Sequence, residues 1–195
     1  MAPRTQFTRT ARWLHWSMAA MVLAMLFIGV AMVASLEDRP WLLELHRPLG
    51  LLILLLAVLR MWHRRRNPPP PLPADLPRWQ ARIAGLSHVA LYTLMFAMPL
   101  LGWAMSSAGG YVIVLPGGWV LPPLAPQDPT VYTGLRAAHG ALGYAFFTLI
   151  LAHLAGALFH AWVRRDGVFR TMAGGRQAPL TRPRSEAPGD SRLDQ

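Results

Sequence analysis

Four long apolar runs dominate the hydropathy pattern of this 195-residue chain, separated by short polar or proline-rich stretches. They occupy residues 13–36, 42–62, 83–105 and 135–163. Each run is long enough, as a helix, to cross a hydrocarbon core of about 30 Å. The pattern therefore predicts an all-α integral membrane protein, an antiparallel bundle of four transmembrane helices at residues 11–36, 41–63, 82–106 and 131–164.

The runs and their connections form one predicted domain, residues 1–172. Residues 67–77 contain six prolines and are expected to form a stiff, extended spacer. Residues 108–130 are rich in glycine and proline yet apolar, which leaves open whether this outer loop lies at the membrane interface or caps the bundle. Residues 173–195 are polar and without periodicity, and they predict a disordered cytoplasmic tail.

The basic charge comes from arginine alone, with 19 arginines, no lysine and a net charge of +10. Sixteen arginines lie before the first run, from the end of the second run at Arg60 to the start of the third at Arg82, or after the fourth, and only Arg39, Arg47 and Arg136 lie on the other side. The positive-inside rule then places both termini in the cytoplasm. The charge thus indicates membrane topology and argues against nucleic-acid binding. The first run is too long for a signal peptide and lacks a clear cleavage site, so we expect it to span the membrane.

The absence of cysteine excludes disulfides, thiolate metal sites, iron–sulfur clusters and the covalent attachment of c-type haem. Metal chemistry in this chain would depend instead on its seven histidines.

Three of these histidines share one stripe of the fourth run. His139, His153 and His160 are separated by 14 and 7 residues, which return to nearly the same helix face. Ionisable residues within a membrane are rare and usually functional. The stripe therefore predicts that the fourth helix lines a site.

Depth along the helices divides the histidines into two pairs. His46 and His139 are expected near the outer face, and His15 and His153 near the inner face, about 21 Å away. A haem iron with two axial imidazoles needs one histidine on each of two facing helices. Because such ligation fills both axial positions, the predicted chemistry is electron transfer across the membrane.

The other histidines have less definite roles. His88 shares the inner level and competes as a ligand, although a bond to a haem propionate or a quinone is the favoured interpretation. His160 lies about 10 Å beyond His153, as either a quinone-site residue or an interfacial histidine. His63 stands beside three arginines and is expected on the solvated surface.

Residues beside the pairs also have two interpretations each. Arg12 inside, and Arg47 and Arg136 outside, either neutralise haem propionates or anchor the helix ends in the membrane. Gly50, one turn after His46, either leaves room for a flat ligand or allows close helix packing.

Taken in order, these motifs resemble the bacterial cytochrome b561 family over residues 7–172. The resemblance rests on Arg12-Trp13-Leu14-His15-Trp16, His46 with Gly50 and Arg60, His88 with Leu91-Tyr92 and Pro99-Leu100-x-Gly102, and His139 with His153 and His160. It implies that His15, His46, His139 and His153 ligate two non-covalent b-type haems in a multi-pass protein of the bacterial inner membrane. It also implies electron exchange with the quinone pool, with ubiquinone as a candidate, and oxidation of superoxide in some members.

Two other functions stay open. The chain could be the haem-bearing membrane anchor of a larger dehydrogenase or hydrogenase. It could also be a histidine-lined proton or metal pathway without haem, although the scarcity of carboxylates within the runs argues against this. The outer electron donor, quinone oxidoreductase activity and homodimer formation are not decided by the sequence.

Overall fold

A computed structural model describes residues 6–115 and 117–174. Its helices are α1 (Arg9–Ala34), α2 (Arg39–Arg66), α3 (Arg78–Ala108), α4 (Pro129–Leu158), continued by a π-helical turn (Phe159–Arg164), and a short α5 (Val168–Ala173). The four long helices are long and apolar enough to cross a membrane. The predicted all-α bundle of four transmembrane helices is confirmed. Of the predicted tail, residues 175–195 lie outside the described residues.

Polar residues mark the beginnings of the helices. The Thr8 hydroxyl accepts from Ala11 N at 3.1 Å and caps α1. The Asp128 carboxylate accepts from Val131 N at 2.8 Å and caps α4, whose first residue is a proline. Before α2, the carboxylate of Asp38 accepts from Trp41 Nε1 at 3.1 Å and Ser35 Oγ at 2.9 Å. These hydrogen bonds lower the pKa of Asp38 by stabilising its charged form.

The helices pack in sequence order. Among the described residues, close backbone packing joins α1 to α2, α2 to α3 and α3 to α4, whereas α4 makes at most a few such contacts with α1 or α2. The buried side chains of Val22, Ile53 and Phe146 meet in the middle of the bundle. Many large apolar side chains point outward instead, as on Phe27 and Val33, which suits helices surrounded by lipid.

The outer loop is attached to the last turn of α3. Ile113 is buried, and its carbonyl accepts from Leu121 N at 3.0 Å. Trp103 Nε1 donates to the carbonyl of Pro122 at 3.0 Å, and the hydroxyl of Ser107 accepts from Leu124 N at 3.0 Å. Of the two alternatives for this loop, the structure favours a cap over the end of the bundle.

Both ends of the described chain meet at the opposite end of the bundle. After the π-helical turn the chain reverses at Arg165, with φ 52°, and α5 returns toward α1, where Phe7 N donates to the carbonyl of Thr171 at 3.3 Å. His63, at the end of α2, lies 2.8 Å from Thr8 through Nε2 and the hydroxyl oxygen. His63 therefore joins α2 to the start of α1, a role that the expectation of a solvated histidine did not include.

Candidate functional site

The site is built in three layers that repeat every seven residues, or about 10 Å along each helix. The middle layer contains Val22, Ile53 and Phe146, with Met95 packed against them. Seven residues toward the outer end from this layer lie His46, Gly102 and His139. Seven residues toward the inner end lie His15, Arg60, His88 and His153. The bundle thus separates two polar levels by an apolar layer.

The outer level brings His46 and His139 together. Their ring centroids lie 6.2 Å apart, with the ring planes inclined at 65°. Nδ1 of each ring is buried and has no hydrogen-bond partner within the described part of the chain. An imidazole nitrogen lies about 2.0–2.1 Å from a metal such as zinc that it binds, so two imidazoles on opposite sides of one metal have centroids about 6 Å apart. The observed separation therefore suits one metal held between the two rings.

Gly102 on α3 makes room for the His139 ring. A Cβ atom on Gly102 would lie 3.3 Å from His139 Cε1, closer than ordinary van der Waals contact. In the sequence, Gly102 was noted only as part of a motif. Its spacing of 14 residues from His88, which lies at the inner level of the same helix, could have placed it at the outer level. A Cβ atom on Gly50 would lie 3.6 Å from Met25 Cε, so α1 packs close to α2 at this position, in favour of the helix-packing interpretation.

The inner level contains three histidines and an arginine. The rings of His88 and His153 lie 5.3 Å apart between centroids, and His15 lies within electrostatic range of both. His15 also contacts its neighbour Trp16, with ring centroids 5.2 Å apart. The structure thus brings His15, His88 and His153 to one level and places the ring of His88, rather than that of His15, against His153. Among the described residues, no three histidine or carboxylate side chains converge on a point that suits a bare metal ion.

Arg60 is the charged residue of the inner level that sequence reasoning did not assign to the site. Its charge acts on His15, His88 and His153. Its Nε donates to the hydroxyl oxygen of Tyr92 at 3.0 Å. The signal in the sequence was an arginine within the second apolar run, two residues before its end and 14 residues after His46.

The three candidate propionate partners occupy different environments. Arg47 is half-buried beside His46, with Nε buried and unpartnered and the guanidinium 5.4 Å from the Tyr111 ring centroid. Arg136 is exposed. Arg12 lies at the inner end, with its guanidinium against Gly174. Of the three, Arg47 is the one that the structure places next to a histidine pair.

His160 belongs to a separate network at the inner end. It lies in the π-helical turn, and its Nδ1 is 2.6 Å from Asp166 Oδ2. Arg164 donates through Nε to the same carboxylate oxygen at 3.0 Å and binds Asp75 Oδ2 at 2.7 Å. This network joins the end of α4 to the proline-rich spacer.

A cavity of about 530 Å³ lies beside the inner level, between α2 and α3. Its polar lining residues are His88, Tyr92, Thr93 and Arg64, and Met61 and Phe96 are among its apolar ones. The cavity does not include His160 among these lining residues. Of the two candidate quinone-site histidines, His88 lines this cavity and His160 does not.

Comparison with known proteins identifies the family. A sequence profile of the prokaryotic cytochrome b561 family matches residues 6–175. The chain belongs to this family. It is 27% identical over 177 residues to cytochrome b561 homolog 1 of Escherichia coli (strain K12), with 86% of this chain and 96% of the relative covered. It is 31% identical over 166 residues to cytochrome b561 homolog 2 of the same organism, with 82% and 87% covered. A probable superoxide oxidase of Yersinia pestis is 28% identical over 163 residues, with 82% and 90% covered.

Membership of the cytochrome b561 family, together with four membrane-spanning helices, identifies a multi-pass protein of the bacterial inner membrane. It is a transmembrane electron-transfer cytochrome, and its family binds b-type haem. These findings confirm the resemblance on which the sequence-based prediction relied.

The histidines fit such a group. The buried, unpartnered Nδ1 atoms of His46 and His139 mark two imidazoles whose hydrogen-bonding capacity is not used within the described residues, and their centroid separation suits one shared iron. Because Gly102 has no side chain, α3 leaves room for the ring of His139 at this level. Among the described residues, α4 makes at most a few close backbone contacts with α1 and α2, the helices that carry His15 and His46.

Proposed function

We propose that this cytochrome moves electrons across the inner membrane between an outer donor and a membrane quinone through two non-covalent b-type haems. The observation that carries the proposal is the presence of histidine clusters at two levels of one transmembrane bundle, with His46 facing His139 at the outer level. When bound, haem supplies an iron that gains and loses one electron without a change of ligands.

The ligands are assigned by level. His46 and His139 would hold the outer iron, and His15 and His153 would hold the inner iron, with His88 as the rival for one inner position. With two imidazoles bound, such an iron would have no free position for a substrate, so the chemistry it would supply is the transfer of single electrons. The apolar layer around Phe146 keeps water and ions from the path between the levels.

We place the inner level toward the cytoplasm. The two ends of the described chain meet at the inner end of the bundle, where Phe7 contacts Thr171. The end of α2 lies beside them, because Thr8 contacts His63. The arginine distribution supports the orientation, since sixteen of the 19 arginines lie on this side.

We propose the cavity between α2 and α3 as the quinone site. Its volume of about 530 Å³ suits a quinone head group. Val89 of its lining is 65% exposed on the outside of the bundle, so the cavity borders the lipid from which a quinone enters. His88 offers one hydrogen-bond partner. Tyr92 offers a second, because its oxygen accepts from Arg60 while its own O–H remains able to donate.

Superoxide is the outer donor that we propose. One relative is a probable superoxide oxidase, and Arg47 and Arg136 supply positive charge near the outer pair. Two superoxide anions would each give one electron and leave as oxygen, and the quinone would take both electrons with two protons from the cytoplasmic side. Cations beside the outer level raise the local concentration of an anionic donor.

One experiment tests the core of the proposal. The purified full-length protein is examined by optical and electron paramagnetic resonance spectroscopy, and haem is counted per chain. We expect two low-spin haems. A spectrum without low-spin haem would overturn the proposal in favour of a histidine-lined pathway without haem.

The outer donor and the partner require two further measurements. In proteoliposomes containing ubiquinone, superoxide should disappear faster than by its spontaneous disproportionation, with formation of quinol, and omission of ubiquinone should return the rate to the spontaneous one. Isolation of the protein from its own membranes should give the cytochrome alone. A large dehydrogenase or hydrogenase that co-purifies in fixed ratio would instead identify a membrane anchor subunit.

A further inference from the structure

A groove at the inner end of the bundle has no role in the path proposed for electrons. It is formed where α5 folds back against the start of α1, and it encloses about 540 Å³. Its walls are Arg9, Arg12, Trp13 and Trp16 of α1 and residues 172–174 at the end of α5. We call it the terminal groove.

Specific contacts hold the groove in shape. Trp16 Nε1 donates to the carbonyl of Met172 at 3.3 Å, and Phe7 N donates to that of Thr171 at 3.3 Å. At Gly174 the backbone has φ 89°, and a Cβ atom there would lie 2.7 Å from a guanidinium nitrogen of Arg12. A side chain at position 174 would therefore displace Arg12, so the glycine maintains the arginine within the groove.

The groove carries two positive charges that no residue of the described part of the chain neutralises. Among residues 6–115 and 117–174, no ion pair or hydrogen bond involves the guanidinium of Arg9 or Arg12. The first turn of α1 contains no acidic residue. Two guanidinium groups with free donors on one wall match the oxygens of a phosphate group.

The tryptophans indicate that this phosphate belongs to a lipid. Trp13 is 75% exposed and Trp16 is 46% exposed, on a helix that spans the membrane. Such rings lie at the level of lipid head groups, with the ring in contact with the upper acyl chains. Basic pockets at this depth on the cytoplasmic side attract anionic head groups.

We propose that the terminal groove binds the phosphate head group of an anionic phospholipid. Arg9 and Arg12 bind the phosphate oxygens, while Trp13 and Trp16 pack beside the glycerol and the first methylenes. The lipid would contact both α1 and the end of α5, and so would hold α5 against the first helix. This inference does not depend on the assignment of haems or quinone.

Native mass spectrometry of the full-length protein in detergent, with added phosphatidylglycerol or phosphatidylcholine, tests the proposal. The variant R9Q/R12Q removes both charges from the groove. The matched control R65Q/R66Q removes two exposed charges at the end of α2, on the same side of the membrane. Circular dichroism shows whether each variant keeps its helices.

We expect the wild type to retain phosphatidylglycerol and not phosphatidylcholine. In R9Q/R12Q the affinity should fall about twentyfold to thirtyfold, since each arginine near an anionic lipid contributes a factor of about five. In R65Q/R66Q it should change less than about twofold. Equal losses in the two variants, or none in R9Q/R12Q with helices intact, would overturn the proposal.

Two other occupants are distinguished in the same experiment. If inorganic phosphate at the same concentration displaces phosphatidylglycerol from the wild type, the groove binds a free anion and the lipid assignment is wrong. The chain beyond residue 174 carries the acidic residues Glu186, Asp190 and Asp194. If phosphatidylglycerol binds only to the full-length variant E186Q/D190N/D194N, the tail occupies the groove and the proposal is wrong.

Discussion

The imidazoles of His46 and His139 face each other across the bundle with their ring centroids 6.2 Å apart. They come from helices that make at most a few close backbone contacts, so the side chains span a distance that the backbones leave open. This facing pair supports the proposed site of the outer iron, and the first of five predictions concerns it.

Replacement of either residue of the outer pair should remove one haem and leave the other. We expect His46→Ala and His139→Ala each to lose about half of the bound haem and one low-spin signal, because an iron with a single imidazole is held weakly. Haem counting and electron paramagnetic resonance measure this loss. The control is His63→Ala, which removes a histidine bonded to Thr8 outside both levels and should keep both haems. Full haem content in His46→Ala would contradict the assignment.

The inner level poses a choice between His15 and His88 as the partner of His153. The assignment by level predicts that His15→Ala and His153→Ala lose the inner haem signal, whereas His88→Ala keeps it and slows quinone reduction. The ring contact between His88 and His153 makes the comparison necessary. Spectra and quinone assays of the three variants decide it. Loss of the haem in His88→Ala together with its retention in His15→Ala would reverse the pairing.

Gly102 should control the orientation of His139. In Gly102→Ala the new methyl group lies 3.3 Å from His139 Cε1, so the ring must move by a few tenths of an ångström. We expect a shifted outer haem signal with haem retained, and loss of the outer haem in Gly102→Leu. Gly29→Ala on α1 is the matched control, because a Cβ there meets nothing within 4 Å. A spectrum of Gly102→Leu like that of the wild type would show that this close approach has no role.

Arg60 should favour the reduced form of the inner haem, because its positive charge acts on the three histidines at that level. Arg60→Gln is expected to lower the inner reduction potential by an amount on the order of tens of millivolts, as a unit charge about 10 Å away at an effective dielectric constant of about 20 contributes about 1–2 kcal/mol. Arg60→Lys keeps the charge and should keep most of the potential. Redox titration followed optically measures both. Equal shifts in the two variants would assign the effect to the Tyr92 hydrogen bond instead.

Asp166 should stabilise the inner end of the bundle. Its side chain is 7% exposed and binds both His160 and Arg164. Asp166→Asn leaves the charge of Arg164 partly uncompensated and should lower the free energy of unfolding by about 2–4 kcal/mol. Asp75→Asn is the comparison, because Asp75 binds the same arginine but is 76% exposed, and its loss should cost less than about 1 kcal/mol. Thermal unfolding of both variants measures the difference, and equal costs would contradict the prediction.

The pattern of residues determined the fold class and the depth of each histidine. Four apolar runs of sufficient length have one arrangement that satisfies their backbone groups in lipid, namely membrane-spanning helices. Helical periodicity and a rise of 1.5 Å per residue then set His46 level with His139, and His15 level with His88 and His153. The depth of each histidine follows from its position within its own apolar run, so these levels could be predicted without a structure.

The lateral arrangement at each level depended on the tertiary structure. Depth alone does not state which of His15 and His88 faces His153, because that depends on the rotation of each helix and on its neighbours. The position of Arg60 among the inner histidines likewise depends on the rotation of α2 about its axis. The position of the outer loop depends on hydrogen bonds to α3 between residues distant in sequence. The π-helical turn and α5 were not predicted either, because the reversal at Arg165 places a non-glycine residue in a left-handed conformation. Short-range preferences disfavour that conformation, and contacts between the two ends of the described chain, such as those of Phe7 with Thr171 and Trp16 with Met172, favour the reversal.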